Sequence, residues 1–245
     1  MRTTSLSVFA SLLLSLAGCA AATPAAPAPS TGAAPSTEPT TAAGHAARAN
    51  ELAERGDQDD AIKEFEQAIA LEPGNPTLHF TLAVWMDRWH VRGAVPHLDA
   101  ALPLVHDDYP MTVAIGHEYR LAGEFGSCVT TFDTAIKSQD SGEARTERAL
   151  CKLGLKDEAG ALADLKAAVT TEPTYPQGHF FLAGRLASAK HYKDAAAEYQ
   201  AYLDLAPQGS LSDQAGERLR AAQDAASHEE SALAVKGKPK GAARR

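Results

Sequence analysis

No apolar run in the chain approaches the roughly 20 residues that a membrane-spanning helix needs. The one leucine-rich stretch, residues 6–16, is about half that long. Catalytic signatures are missing too. There is no His-Glu-x-x-His, no Gly-x-Ser-x-Gly and no phosphate-binding glycine loop, so no enzyme is expected. The nine histidines include His90 and His97, and His106 beside Asp107, but no matched ligand spacing, so neither a metal nor a cofactor is expected. Positive charge is in short supply. Lys and Arg number 23 against 31 Asp and Glu, a formal net charge of −8, which argues against general nucleic-acid binding. Cysteine is scarce as well, with three in 245 residues.

What is present begins at the amino terminus. Arg2 is the only early charge, and the short apolar run follows it with serines interspersed. That length and order suit the hydrophobic region of a signal peptide over residues 1–18. The run stops at Leu16-Ala17-Gly18-Cys19, which resembles the lipobox of bacterial lipoproteins. The resemblance implies a diacylglyceryl thioether on Cys19, cleavage before it and acylation of the new amino group. A secretory signal with a chance cysteine is the alternative, since small residues precede many cleavage sites. Residue 20 is Ala rather than Asp, which by the same resemblance points to the outer membrane. Acyl chains contribute about 0.8 kcal/mol per buried CH₂, so Cys19 reads as a tether rather than a nucleophile.

Residues 19–41 then carry Pro24, Pro27, Pro29, Pro35 and Pro39 among Ala, Ser and Thr, with Glu38 as the single charge. Such a segment buries too little to offset ordering entropy and reads as a disordered spacer. Fully extended it spans on the order of 70 Å at about 3.1 Å per residue.

From residue 42 the pattern changes to helical periodicity broken by regular punctuation. "NELAERGDQDDAIKEFEQAIALEPGNP" has a break at Gly56 and a stop at Pro73. "YRLAGEFGSCVTTFDTAI", "CKLGLKDEAGALADLKAAVTTEPTYP" and "GRLASAKHYKDAAAEYQAYLDLAPQ" repeat the design. Units begin near residues 42, 76, 109, 142, 176 and 210, a spacing of 33 or 34. A small residue recurs late in the first helix (Ala49, Ala83, Gly116, Ala149, Ala183) and opens the second (Ala61, Ala94, Cys128, Ala161, Ala195). A larger one follows a turn later (Phe65, Leu98, Phe132, Leu165, Tyr199), and then Ala68, Ala101, Ala135 and Ala168. Small side chains let two helices cross closely, and the bulky neighbour fills the space above.

Over residues 42–226 the chain thus resembles a tetratricopeptide-repeat (TPR) protein. The resemblance implies an all-α, right-handed superhelical solenoid of about five helix-turn-helix units (42–75, 76–108, 109–141, 142–175, 176–209) and a capping helix at 210–226. Two departures stand out. Unit two is one residue short, with Pro96 in the first turn of its second helix, where a missing N–H costs little. Tyr202 occupies a small-residue position beside the cap. Residues 227–245 have poor periodicity and end in "KGKPKGAARR", five positive charges without an acid. They read as a disordered basic tail, with weak attraction to an anionic cell-wall polymer as its functional reading.

If Cys19 is lipidated, Cys128 and Cys151 remain as an even pair in an oxidising compartment. The repeat geometry places the start of one helix beside the end of its antiparallel neighbour. A disulfide there would stabilise by roughly 3 kcal/mol; two buried thiols are the alternative.

By family analogy the first helices line a concave groove that includes Asn50, Phe80, Val84, Asp87, Arg88, His117, Arg120, Thr146 and Phe180, with Arg185 nearby. Aromatic anchors among charges suit a peptide or partner helix. Phe80, Val84 and Phe180 read equally well as interhelical core. Trp85 and Trp89, one turn apart, suit either burial between units one and two or partner contact. Only Asn50 matches the basic clamp that some relatives use for a C-terminal carboxylate. The expectation is an outer-membrane-anchored interaction scaffold or assembly factor for an envelope protein, as in pilus secretin assembly or cell-wall hydrolase scaffolding. A structural, self-associating lipoprotein is the alternative.

Overall fold

The computed structural model describes residues 39–105 and 107–236. The expected signal peptide, Cys19, most of the spacer, His106 and residues 237–245 lie outside the described residues.

Helix starts follow from capping chemistry. Thr41 Oγ1 accepts the Gly44 amide at 3.1 Å and opens α1 (Ala42–Arg55). Asn75 Oδ1 accepts from Thr77 at 3.1 Å before α3 (Pro76–Arg88), and Asp108 from Met111 at 3.0 Å before α5 (Tyr109–Leu121). Ser141 Oγ does the same for Ala144 at 3.0 Å ahead of α7 (Gly142–Gly154). Each satisfies an amide that the helix itself leaves unpaired. Pro176 opens α9 (Pro176–Ser188), where its fixed φ already suits a first helical turn. Each of these inner helices is followed by an antiparallel outer one. The outer set is α2 (Gln58–Leu71), α4 (Ala94–Ala101), α6 (Phe125–Ser138), α8 (Glu158–Thr171) and α10 (Tyr192–Leu205). A final helix, α11 (Ser212–Lys236), covers α10. No strand occurs among the described residues. The described residues form an all-α solenoid of five helical hairpins closed by a cap.

The turn inside each hairpin contains one left-handed residue at the repeat period: Gly56 (φ 88°), His90 (56°), Gly123 (80°), Lys156 (63°) and Lys190 (65°). Two are glycines, which adopt this conformation without penalty; the others hold it at a cost. In unit two a second such residue, Gly93 (φ 119°), delays the outer helix to Ala94. That helix is also short. Pro103 lacks an N–H and its ring crowds the carbonyl of residue 99, so the chain tightens into a 3₁₀ turn at Leu102–Leu104. Pro96 sits in the first turn of α4.

The small-residue positions are the crossing points. Ala49, Ala61, Ala68, Ala101, Ala135, Ala149, Ala161, Ala168, Ala183 and Ala195 are buried, as are Phe65, Leu98, Phe132, Leu165 and Tyr199 above them. At Gly116 the approach is too close for any side chain: a Cβ there would lie 2.8 Å from the Phe132 ring. Tyr202, the misfit in the pattern, is buried against Phe180 and reaches past the end of its own helix. Its hydroxyl accepts the Leu211 amide at 3.2 Å and fixes the chain where it turns into α11.

The cap corrects one expectation. Instead of ending near 226 and giving way to a disordered tail, α11 continues to Lys236. Residues 227–236 contain Ala, Glu, Leu and Lys and neither Gly nor Pro until Gly237, so nothing local stops the helix. An ion pair from Lys193 to Glu230 ties this extension to α10.

Candidate functional site

The predicted groove residues separate into distinct environments. On α1 and α3, Asn50 is engaged at both ends of its amide. Nδ2 donates to the Ala46 carbonyl at 2.9 Å, and Oδ1 accepts from Trp85 Nε1 at 3.0 Å. It therefore joins units one and two. Trp85 stacks on Trp89 with centroids 5.3 Å apart, and the Arg88 guanidinium lies 4.5 Å from the Trp85 centroid. Phe80, Val84 and Asp87 are half-buried, and Arg88 is exposed. On α5, Arg120 Nε donates to Glu147 Oε2 at 2.9 Å and so links α5 to α7. His117 is more open, with its nearest acid, Glu118, at 3.9 Å.

Thr146 is a correction, and Phe180 is one in part. Thr146 is fully buried, and its side chain faces Gly178, so it belongs to the α7–α9 contact. Gly178 presents no side chain to hold it off, which is why the threonine sinks between the helices. Phe180 is 3% exposed, edge-on to Tyr199 and Tyr202 at 5.8 and 5.5 Å. Tyr202 replaces the usual small residue and packs against Phe180, so most of the ring is core and only its remaining edge lines the concave surface beside Arg218.

Arg185 borders concave space. It lies in the wall shared by two adjoining cavities of about 380 and 300 Å³ on α7, α9, α10 and α11. The first is lined further by Ser188, Tyr192 and Tyr199, the second by Leu150, Leu153, Phe180, Phe181 and Leu211. Gly184 and Arg218 belong to both. Leucine and phenylalanine side chains make the floor apolar, and two guanidiniums give it one sign of charge. Arg185 Nη1 reaches the exposed Glu158 carboxylate at 3.2 Å. Arg218 is exposed, lies 5.2 Å from the Phe180 centroid, and makes no ion pair among the described residues. Leu150, Leu153, Phe181 and Arg218 were not anticipated. Helical spacing puts Leu150 and Leu153, and Phe181 and Arg185, about one turn apart, a signal legible in the sequence. That α11 supplies Arg218 was not, because it depends on how the cap docks.

Between the two ends lies an ionic junction. Arg148 and Lys152 occupy positions in α7 where neighbouring inner helices carry Ile115 and Tyr119, or Leu182 and Leu186. Arg148 grips Asp164 with two bonds of 2.5 and 2.8 Å and Asp133 with one of 2.6 Å; Lys152 adds a 2.8 Å contact to Asp164. Burial pushes the Asp164 carboxyl up, but hydrogen bonds from Arg148 and Lys152 outweigh it and hold the group below its ordinary value.

Cys128 on α6 and Cys151 on α7 lie at the same junction, Cα atoms 6.0 Å apart and sulfurs at bonding distance. His97 faces His79 rather than His90, with Nδ1 atoms 3.4 Å apart. Among the described residues no three His, Cys, Asp or Glu side chains converge as a metal site would require. No described helix is long and apolar enough to cross a membrane.

Comparison with known proteins agrees with the helical-hairpin architecture. The family described as TPR repeat matches residues 49–85. Comparison with curated proteins by sequence gives no significant match. Solved structures do match. MamA from Desulfovibrio magneticus RS-1, residues 41 to its end, superposes with a TM-score of 0.57 at 14% identity, covering 71% of this chain and 99% of that one. YrrB, described as a TPR protein with an unusual peptide-binding site, gives 0.53 at 15% identity over 72% of this chain and 92% of its own. The C-terminal part of a TPR repeat-containing protein from Cytophaga hutchinsonii gives 0.58 at 12% identity, over 72% and 73%. At these identities the likeness is one of fold.

Proposed function

We propose that this chain is an envelope interaction scaffold, tethered by lipid at Cys19 to the periplasmic face of the outer membrane, that holds a partner protein in the trough of α7, α9, α10 and α11. The carrying observation is the trough itself: an open, apolar-floored concavity built from successive inner helices, with functional groups that the fold does not consume. Ligand sites are concave and mostly apolar, with a few placed polar groups. The TPR fold, and the peptide-binding site described for YrrB, support the same reading. The tether rests on the sequence "LAGC" and on the apolar run before it. Confinement by the tether and the Pro-rich segment raises the local concentration of a low-affinity partner, so the array acts by capture and positioning. An assembly factor, or a scaffold for envelope enzymes, works in this way.

The test is in-cell photo-crosslinking. A photoreactive residue at Phe181, in the trough, is expected to capture a discrete envelope protein, while one at Thr134 on the outer helix α6 yields none. Adducts from Thr134 and none from Phe181 would move the binding surface to the convex side. Separately, Cys19→Ser is expected to release the folded protein from the outer-membrane fraction; unchanged retention would remove the tether.

A further inference from the structure

Resting on that reading, we infer that the trough selects its partner by charge: its occupant is an acidic, apolar segment of another protein, with a carboxylate held between Arg185 and Arg218. The two cavities meet at these guanidiniums. The cavity on the Leu150, Leu153 and Phe181 side accepts large apolar side chains, and the shared wall presents cationic donors. Arg218 is the decisive group. It lies against the Phe180 ring, exposed and with no acid paired to it among the described residues, in a chain whose formal net charge is −8. The partner of Arg185, Glu158, is itself exposed at 67%, so an incoming carboxylate competes with a weak surface pair. Guanidinium recognises carboxylate through paired N–H donors, and stacking on an aromatic ring pre-orients it. Gly184 keeps the space open. A Cβ there would stand 3.6 Å from the Tyr199 hydroxyl and 3.9 Å from Arg218 Nη1, so a methyl fits and a longer side chain fills the cleft.

Residues 237–245 are the wrong sign for this site, since their charged side chains are Lys238, Lys240, Arg244 and Arg245. Nor is the arrangement dependent on the inner helices alone. Arg218 comes from α11, so the cap is a binding element as well as the end of the stack.

The probes are two short labelled peptides with the same Leu and Phe spacing, one carrying Asp and Glu and the other Asn and Gln. Binding to the lipid-free folded chain is read by fluorescence anisotropy. The acidic peptide is expected to bind about tenfold tighter than its amide twin at low salt, with the preference shrinking as salt screens the charges. Arg218→Gln is expected to abolish the preference without moving Tm, since the side chain is exposed. Gly184→Leu is expected to weaken both peptides. Equal binding of the twins, or an intact preference in Arg218→Gln, overturns the charge selection. If neither peptide binds while the Phe181 crosslinker still captures a protein, the charge inference falls and the scaffold reading stands. A mass that rises with concentration in ultracentrifugation, and does so only with Arg218 present, would assign the trough to a second copy and overturn the proposal.

Discussion

The junction of α6, α7 and α8 and the junction of α9, α10 and α11 perform the same structural task with opposite chemistry. In the first, Arg148 and Lys152 converge on a buried Asp164, and Arg148 also holds Asp133. In the second, Phe180, Tyr199 and Tyr202 pack edge to face, with Ala215 and Leu219 of the cap against them. An aromatic junction is stabilised by area removed from water and tolerates small displacements. An ionic junction is stabilised only if every charge meets its partner, because desolvation of the ions is large. The array therefore has one segment that demands exact pairing and one that demands volume.

That difference can be broken most forcefully at Asp164. Asp164→Ala leaves Arg148 and Lys152 half-buried without their shared acid and is expected to cost roughly 3–5 kcal/mol, read as a loss in urea-unfolding free energy. Replacing all three charges together by Leu and Met of similar volume is expected to restore most of that loss. Phe180→Ala is expected to cost about 3 kcal/mol through the cavity it leaves, with no dependence on ionic strength.

Acid sharpens the contrast further. The Asp164 carboxyl is held below its ordinary value in the folded state, so its stabilisation is present above the unfolded value near 3.8 and is lost as pH falls through the folded one. Protection of amides against hydrogen exchange, followed downward through pH 4, is expected to be lost in α7 and α8 before α10. His97 adds a smaller effect. Burial, and then the charge of His79, hold it below its ordinary 6.5, so the unfolded chain takes up protons first and stability declines as pH drops below about 6.5. His97→Asn is expected to flatten that decline. The smallest effect serves as a control. Lys156→Gly beside the ionic junction and Lys190→Gly beside the aromatic one relieve the same left-handed strain, and each is expected to stabilise by up to about 1 kcal/mol. Unequal gains would show that the turns sense the junction chemistry.

The periodicity of the chain was its most legible property. The small residues from Ala49 to Ala195 mark helix crossings, and the same spacing announces five hairpins and a cap. The site was read less well. Arg185 is legible there, but the burial of Thr146 and of most of the Phe180 ring is not, because periodicity reports which way a side chain leaves its helix and not what a neighbouring element lays over it. Gly178 admits Thr146, and Tyr202 covers Phe180. The charges at Arg148 and Lys152 were visible in the chain, yet nothing in their spacing named Asp133 and Asp164 as partners.

By itself, then, the order of residues determined the helices, their length and their repeat, since these depend on local sterics, capping groups and the recurrence of small side chains. Only the stacked structure decided which inner-helix residues remain open, how the buried charges pair, and that the cap lends Arg218 to the trough. Those outcomes depend on contacts between residues far apart in the chain, and the energy of such a contact exists only once the intervening helices have packed.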